Sequence, residues 1–252
     1  MSGTDKYTLA DSFPENVYLA NAAGAFGNTI SQYVLGAILN LYHKFHIYRD
    51  NQRNFKWKDA GSEECLDNKR VLIIGAGDIG KSIAKKLSAF ETHTVGIKRN
   101  TSQLPDYFNE IHNLDELDTQ LPLADIVIGC IPNSEHSYHL FDEQRLMLMK
   151  NDAIFINVGR GSLFIQNDLI KVLKNGHLKG VALDVTEPEP LPVDSPLWHM
   201  ENVIITPHIS GNSFGHLEDT TNKIYKICNE NIVNYSKGLP LINTIDFSAF
   251  KK

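Results

Sequence analysis

The stretch RVLIIGAGDIGKSIAKKL, residues 70–87, constrains the chain more than any other segment. Val71 to Ile74 is an unbroken aliphatic run, the mark of a strand buried on both faces. Gly75, Gly77 and Gly80 follow as G-x-G-x-x-G, and a helical pattern opens at once and runs over residues 79–90. In such a βαβ setting the first glycine permits a tight turn and the second lets backbone approach a pyrophosphate. The third brings helix and strand close, and the helix N-terminus supplies oriented N–H groups. Alone the glycine pattern says little; between a strand and a helix it points to a dinucleotide site. Gly75, Gly77, Asp78, Ile79 and Gly80 are therefore candidate cofactor contacts. The Asp78 carboxylate suits the helix dipole but would repel phosphate if it turned inward.

The same alternation fills the rest of the chain. Residues 94–97, a weak stretch near Ile111, and residues 126–131, 153–158, 181–185 and 203–206 read as strands. Helical patterns over 114–121, 142–149 and 166–174 separate them. Aliphatic strands alternating with helices predict an α/β fold with a doubly wound parallel sheet. Ahead of the glycine turn, Ile30, Tyr33, Val34, Ala37, Ile38, Leu41 and Phe45 recur at spacings of three and four, which predicts one helix over 29–48 with a wide apolar face. A last helix over 215–235 carries Leu217, Ile224, Ile227 and Ile232 on one side, and Trp57 and Trp198 read as packing anchors.

Composition narrows the class. With 42% hydrophobic and 21% charged residues, the 252-residue chain can bury a substantial core. Its net charge of −6 argues against broad binding to nucleic acid or an anionic membrane. The apolar runs fall far short of the roughly 20 residues that span a bilayer. Cys65, Cys130 and Cys228 form no CxxC pair, and MSGTDKYTLADSF lacks a secretory signal, so a reduced cytoplasmic setting is expected. Cys130, at a strand end, reads as a small apolar wall residue. His43 and His46, like His136 and His139, stand three apart without a third ligand nearby, so no metal site is expected.

Ligands of open α/β sheets bind beyond the carboxyl ends of the strands. The second strand ends in Lys98, Arg99, Asn100, Thr101 and Ser102, with no carboxylate to read a ribose 2′-hydroxyl; two cations there favour NADP over NAD. Arg160 in NVGRG, Glu189 in DVTEPEP and His208 in TPH each follow a later strand. A guanidinium can grip a carboxylate or keto oxygen, and a histidine can handle the proton that accompanies hydride transfer. A glutamate beside that histidine would orient its ring.

GAGDIG, NVGRG, ALDVTEPEPLPVDSPLW and NVIITPHISG resemble the signature segments of the D-isomer-specific 2-hydroxyacid dehydrogenases, and the likeness runs over residues 21–238. The resemblance implies a Rossmann domain that reduces a small 2-oxoacid with NADP, preferred, or NAD. It makes Arg160 the substrate's clamp, His208 the general acid/base and Glu189, rather than Glu187, its partner. Asp184 would hold the nicotinamide carboxamide, while Ile131, Pro132, Val158, Gly159 and Gly211 line the cofactor. The helix near Ile30 to Phe45 resembles the family's dimer-forming segment, so a homodimer is expected.

The family's second, flavodoxin-like substrate domain needs on the order of 100 residues. The expected organisation is therefore a remnant of that domain over 1–21, the cofactor domain over 22–210, and a helix and tail over 211–252 returning to the substrate domain. Gly3, in the opening Ser2-Gly3-Thr4-Asp5, resembles the tail of the family's carboxylate-binding loop. A second reading is a non-catalytic NAD(P)-binding regulatory or truncated module: the short N-terminal part favours it, and the Arg160, Glu189 and His208 set opposes it.

Overall fold

The protein's computed structural model describes residues 17–245, so the expectation for Gly3 lies outside the described residues. Seven parallel strands form one sheet in the order β3-β2-β1-β4-β5-β6-β7. They are β1 (Arg70–Ile74), β2 (His93–Ile97), β3 (Glu110–His112), β4 (Ile126–Gly129), β5 (Ile154–Asn157), β6 (Gly180–Leu183) and β7 (Val203–Ile205). β1 pairs with both β2 and β4, and the chain order reverses on either side of it. The doubly wound α/β class read from the sequence is therefore the observed one.

The helices follow from the two faces of these strands. Successive strand residues point to opposite sides, and the core splits accordingly. Leu72, Ile74, Val127, Phe155, Val181 and Leu183 join one cluster with Leu146 of α5 (Glu143–Leu148) and with Leu169, Val172 and Leu173 of α6 (Gln166–Lys174). Val71, Ile73, Ile126, Ile128, Ile154, Ile156 and Ala182 face the other way. They meet Val34, Ile38 and Leu41 of α1 (Gly27–Tyr42) and Ile83, Ala84 and Leu87 of α3 (Asp78–Leu87). Both faces of the sheet are thus covered, as the unbroken aliphatic runs require. The short α4 (Leu117–Gln120) adds Leu117 to the first cluster.

The glycine turn shows why helix and strand can come so close. A Cβ on Gly80 would stand 2.0 Å from the carbonyl oxygen of Gly75, so any side chain there would push α3 off β1. Below the sheet, Arg70 grips Glu110 with both guanidinium nitrogens at 3.0 and 2.8 Å, and His93 and His112 reach the same carboxylate. These partners hold the Glu110 carboxyl well below the usual range. The cluster ties the amino-terminal ends of β1 and β2 to β3, away from the ligand-facing edge.

Several expectations need correction. The helix read over 29–48 is two helices, α1 and α2 (Phe45–Arg53), because Lys44 turns left-handed at φ 54° and its Nζ donates to the Ala60 carbonyl at 2.7 Å. The apolar face ends near Tyr42, and α2 buries no residue. The last helix, α7 (Glu218–Ser236), begins after Gly215 and fully buries only Thr220. Ile224 and Ile227 pack against the core, whereas Ile232 is exposed. Trp57 and Trp198 are not buried anchors: the first is fully exposed, and the second is half-exposed with its indole N–H donating to the Pro192 carbonyl at 2.8 Å. No described helix is long and apolar enough to cross a membrane.

Candidate active site

The carboxyl ends of β1, β4, β5, β6 and β7 carry loops that touch in sequence along one edge of the sheet. Beyond β1, the chain turns at Gly75, where a Cβ would meet the Ile131 side chain at 2.5 Å. Ile131 in turn lies against Gly159, since a Cβ there would stand 2.7 Å from the Ile131 carbonyl oxygen. Two residues on, Gly161 packs its backbone against Thr186, leaving only 2.0 Å for a side-chain carbon. The Thr186 N–H donates to Glu189 Oε1 at 3.2 Å, and Glu189 Oε2 stands 3.0 Å from His208 Nδ1. A line of contacts thus runs from the glycine turn to His208, passing the loop that carries Arg160.

Each group on that line is held by a local device. Asn157, buried at the end of β5, donates from Nδ2 to the Arg160 carbonyl at 2.8 Å and accepts from the Gly159 N–H at 3.1 Å. The NVGRG loop is therefore folded around one amide, which leaves the half-buried Arg160 with its Nη1 donating to the Gly159 carbonyl at 2.7 Å. Glu187 and Glu189 follow the same strand, yet they face different histidines. Glu187 stands 3.4 Å from His139 Nε2, and Glu189 is the one within reach of His208.

One residue, Asp184, meets most of the His208 loop, and the His208 N–H also reaches the Thr206 carbonyl at 3.0 Å. Asp184, just beyond β6 and 1% exposed, accepts at Oδ1 from the Thr206 hydroxyl at 2.6 Å and from the Ile209 N–H at 2.8 Å. Its Oδ2 accepts from the Ser210 N–H at 2.9 Å, and its carbonyl accepts from the His208 N–H at 2.8 Å. His208 itself sits at φ 56°, a left-handed conformation that costs a non-glycine residue free energy and persists only where neighbours fix it. With Nδ1 facing Glu189 and the side chain 44% exposed, Nε2 is left for another partner.

These residues fit a dinucleotide. No side chain caps α3, so the N–H groups of its first turn, Asp78, Ile79 and Gly80, remain for a ligand. A Cβ at Gly77 would meet no atom within 4 Å, which leaves room above the turn for a phosphate. The Asp78 carboxylate accepts from the Gly24 N–H at 2.8 Å, so it is engaged by the segment ahead of α1. Pro132 and Asn133 follow Ile131, and Asn133 Oδ1 is buried without a hydrogen-bond partner among the described residues. At the end of β2, Lys98 is half-buried and Arg99 exposed, beside a turn in which Asn100 accepts from the Ser102 N–H and hydroxyl. Val158, continuing β5, is buried, and Gly211 packs against Ile30 and Phe26 of the α1 region.

Two further side chains join the site, and the sequence pattern does not announce the first of them. Tyr33 Oη lies 2.6 Å from Thr206 Oγ1, although its spacing in α1 reads only as one position of an apolar face. Cys130 lies beside the glycine turn with its thiol on the Ile74 and Gly75 carbonyls, and burial pushes that thiol up to about 12. It is a wall residue, as its strand-end position suggests. The histidine pairs have other neighbours: His43 faces Glu63 and His46 faces Asn40.

Comparison with known proteins agrees with this geometry. Residues 35–210 match the D-isomer specific 2-hydroxyacid dehydrogenase NAD-binding domain. The glyoxylate reductase of Thermofilum pendens is 30% identical over 247 residues, 94% of this chain and 70% of that protein. A D-isomer specific 2-hydroxyacid dehydrogenase from Xanthobacter autotrophicus, solved with NADPH and MES, superposes with a TM-score of 0.86 at 28% identity, covering 99% of this chain and all of that one. An NADPH-dependent glyoxylate/hydroxypyruvate reductase from Sinorhizobium meliloti, solved with NADP and sulfate, gives 0.85 at 25% identity over 99% of this chain and 78% of the other. With the glycine turn, the strand order and the family match over most of its length, this chain belongs to the D-isomer specific 2-hydroxyacid dehydrogenases.

Proposed function

We propose that the chain reduces a small 2-oxoacid to the D-2-hydroxyacid with NADPH, and that residues 22–210 form the cofactor domain. The observation that carries this reading is the His208–Glu189 pair, joined by continuous packing to a glycine turn fitted for a dinucleotide. A bound reduced nicotinamide would supply the hydride for the substrate's keto carbon. Arg160 holds the substrate carboxylate and keto oxygen through its guanidinium, which polarises the carbonyl and fixes its orientation. His208 Nε2 gives its proton to that oxygen as negative charge develops. Glu189 accepts from the Nδ1–H, keeping the ring turned and stabilising the charged imidazole before transfer. Asp184, three of whose roughly four acceptor positions are filled by the His208 loop, retains one for the carboxamide.

Lys98 and Arg99 favour the phosphorylated cofactor, since no carboxylate ends β2. The relatives solved with NADPH and NADP support the same preference. The fully exposed Phe55 and Trp57, which follow α2, support a homodimer in which this arm and α1 are covered by a second copy.

Three outcomes follow. His208→Ala should lower kcat by ~10²–10⁴ with 2-oxoacids such as glyoxylate or hydroxypyruvate, and full turnover would remove its assigned role. Lys98→Asp should reduce the NADPH-over-NADH ratio of kcat/KM by roughly ten- to a hundredfold, as the loss of one charge-assisted contact implies. An unchanged ratio would mean that the 2′-phosphate is read elsewhere. Sedimentation at micromolar concentration should give twice the mass of one chain, and a monomer would reject the dimer.

A further inference from the structure

The loop that carries His208 rests on a hydrogen-bonded chain that begins on a different element. Tyr33 projects from α1, its hydroxyl 2.6 Å from Thr206 Oγ1, and Thr206 Oγ1 is 2.6 Å from Asp184 Oδ1. A hydroxyl carries one proton, and a carboxylate accepts. The Thr206 proton is therefore committed to Asp184, and Tyr33 must be the donor to Thr206. Burial, with the Asp184 charge adding to it, pushes the phenol up to about 12, so it keeps its proton throughout the neutral range.

What Asp184 then does is hold four of the five residues from Thr206 to Ser210. It takes the Thr206 hydroxyl, the His208 N–H on its carbonyl, and the Ile209 and Ser210 N–H groups on its carboxylate. Hydrogen bonds in series polarise one another, so the first donor strengthens the rest. α1 is a firm base for that donor. Its Ile30, with Phe26 just ahead of the helix, packs under Gly211, and its Thr29 hydroxyl meets the Thr220 hydroxyl of α7 at 2.8 Å. Without the phenol, the Thr206 hydroxyl loses the neighbour that defines its lone-pair side and can rotate away from Asp184. The left-handed His208 backbone then loses part of what fixes it.

We propose that Tyr33 is a positioning residue of this active site: by donating to Thr206 it sets the Thr206 hydroxyl on Asp184, and so fixes the backbone from which His208 reaches the substrate. The proposal rests on the 2-oxoacid reductase reading for its kinetic consequence, but its structural part can be read without turnover.

The test compares Tyr33→Phe, Thr206→Val, Thr206→Ser and the double variant Tyr33→Phe/Thr206→Val in the full chain. Tyr33→Phe should lower kcat for glyoxylate roughly tenfold through misplacement of His208, with the KM values for glyoxylate and NADPH within about twofold of wild type. Native-state amide exchange at Ile209 and Ser210 should speed up about three- to tenfold, as one lost hydrogen bond implies, while the amides of β4 and β5 keep their rates. Thr206→Ser retains the hydroxyl and should keep most of kcat. In the Thr206→Val background, Tyr33→Phe should cost nothing further, because the phenol acts only through Thr206. Unchanged kcat and exchange in Tyr33→Phe would overturn the proposal. So would an equal second loss in the double variant, or faster exchange throughout the sheet. If wild type turned over no 2-oxoacid, the reductase reading would fail while the exchange rates at Ile209 and Ser210 still decided the role of Tyr33.

Discussion

The buried Asp184 side chain is the interaction on which the site's geometry depends. A carboxylate removed from water must be met by donors, and here they come from the Thr206 hydroxyl and from the Ile209 and Ser210 backbone. The sheet supplies the position: Asp184 follows β6, its N–H donating to the Asn157 carbonyl, so it is fixed relative to the strand that leads into the Arg160 loop. The loop after β7 closes on β6 with His208 left-handed and its ring facing Glu189. One buried acidic group therefore links the arginine loop, the histidine loop and α1 through Tyr33.

The sheet itself was legible because its strands are continuous aliphatic runs, and only a fully covered parallel sheet accommodates those. The strand ends were legible for a related reason: polar residues that follow such runs have to emerge at the ligand-facing edge. What could not be read has equally physical causes. Apolar spacing runs smoothly past Lys44, since a left-handed turn is fixed by tertiary contacts such as the Lys44–Ala60 bond and leaves no periodic signature. Trp57 is as apolar as a core residue, but burial depends on what lies across from it, and among the described residues nothing does. Glu187 and Glu189 are equivalent by position alone, so only the family resemblance separates them; the turn geometry sends them to different histidines. Tyr33 fits an apolar stripe by its ring, while its hydroxyl acts on a residue 173 positions away.

The pair at the centre of the proposed chemistry stands open, with His208 and Glu189 both more than two-fifths exposed on their side chains. An exposed imidazole–carboxylate contact contributes little to stability, so its geometry bears on a role other than holding the chain together. The surrounding backbone is arranged for that role: Thr186 holds one Glu189 oxygen, leaving the other for the imidazole, and Asn157 folds the neighbouring loop so that Arg160 lies along the same edge.

Transfer of the label from deuterated NADPH tests the central claim most directly. With the reactive hydrogen at nicotinamide carbon 4 replaced by deuterium, incubation with hydroxypyruvate and mass analysis of the product should find one deuterium on carbon 2 of the D-hydroxyacid. Cofactor oxidation that leaves the product unlabelled, or no product at all across a panel of 2-oxoacids, would contradict the account.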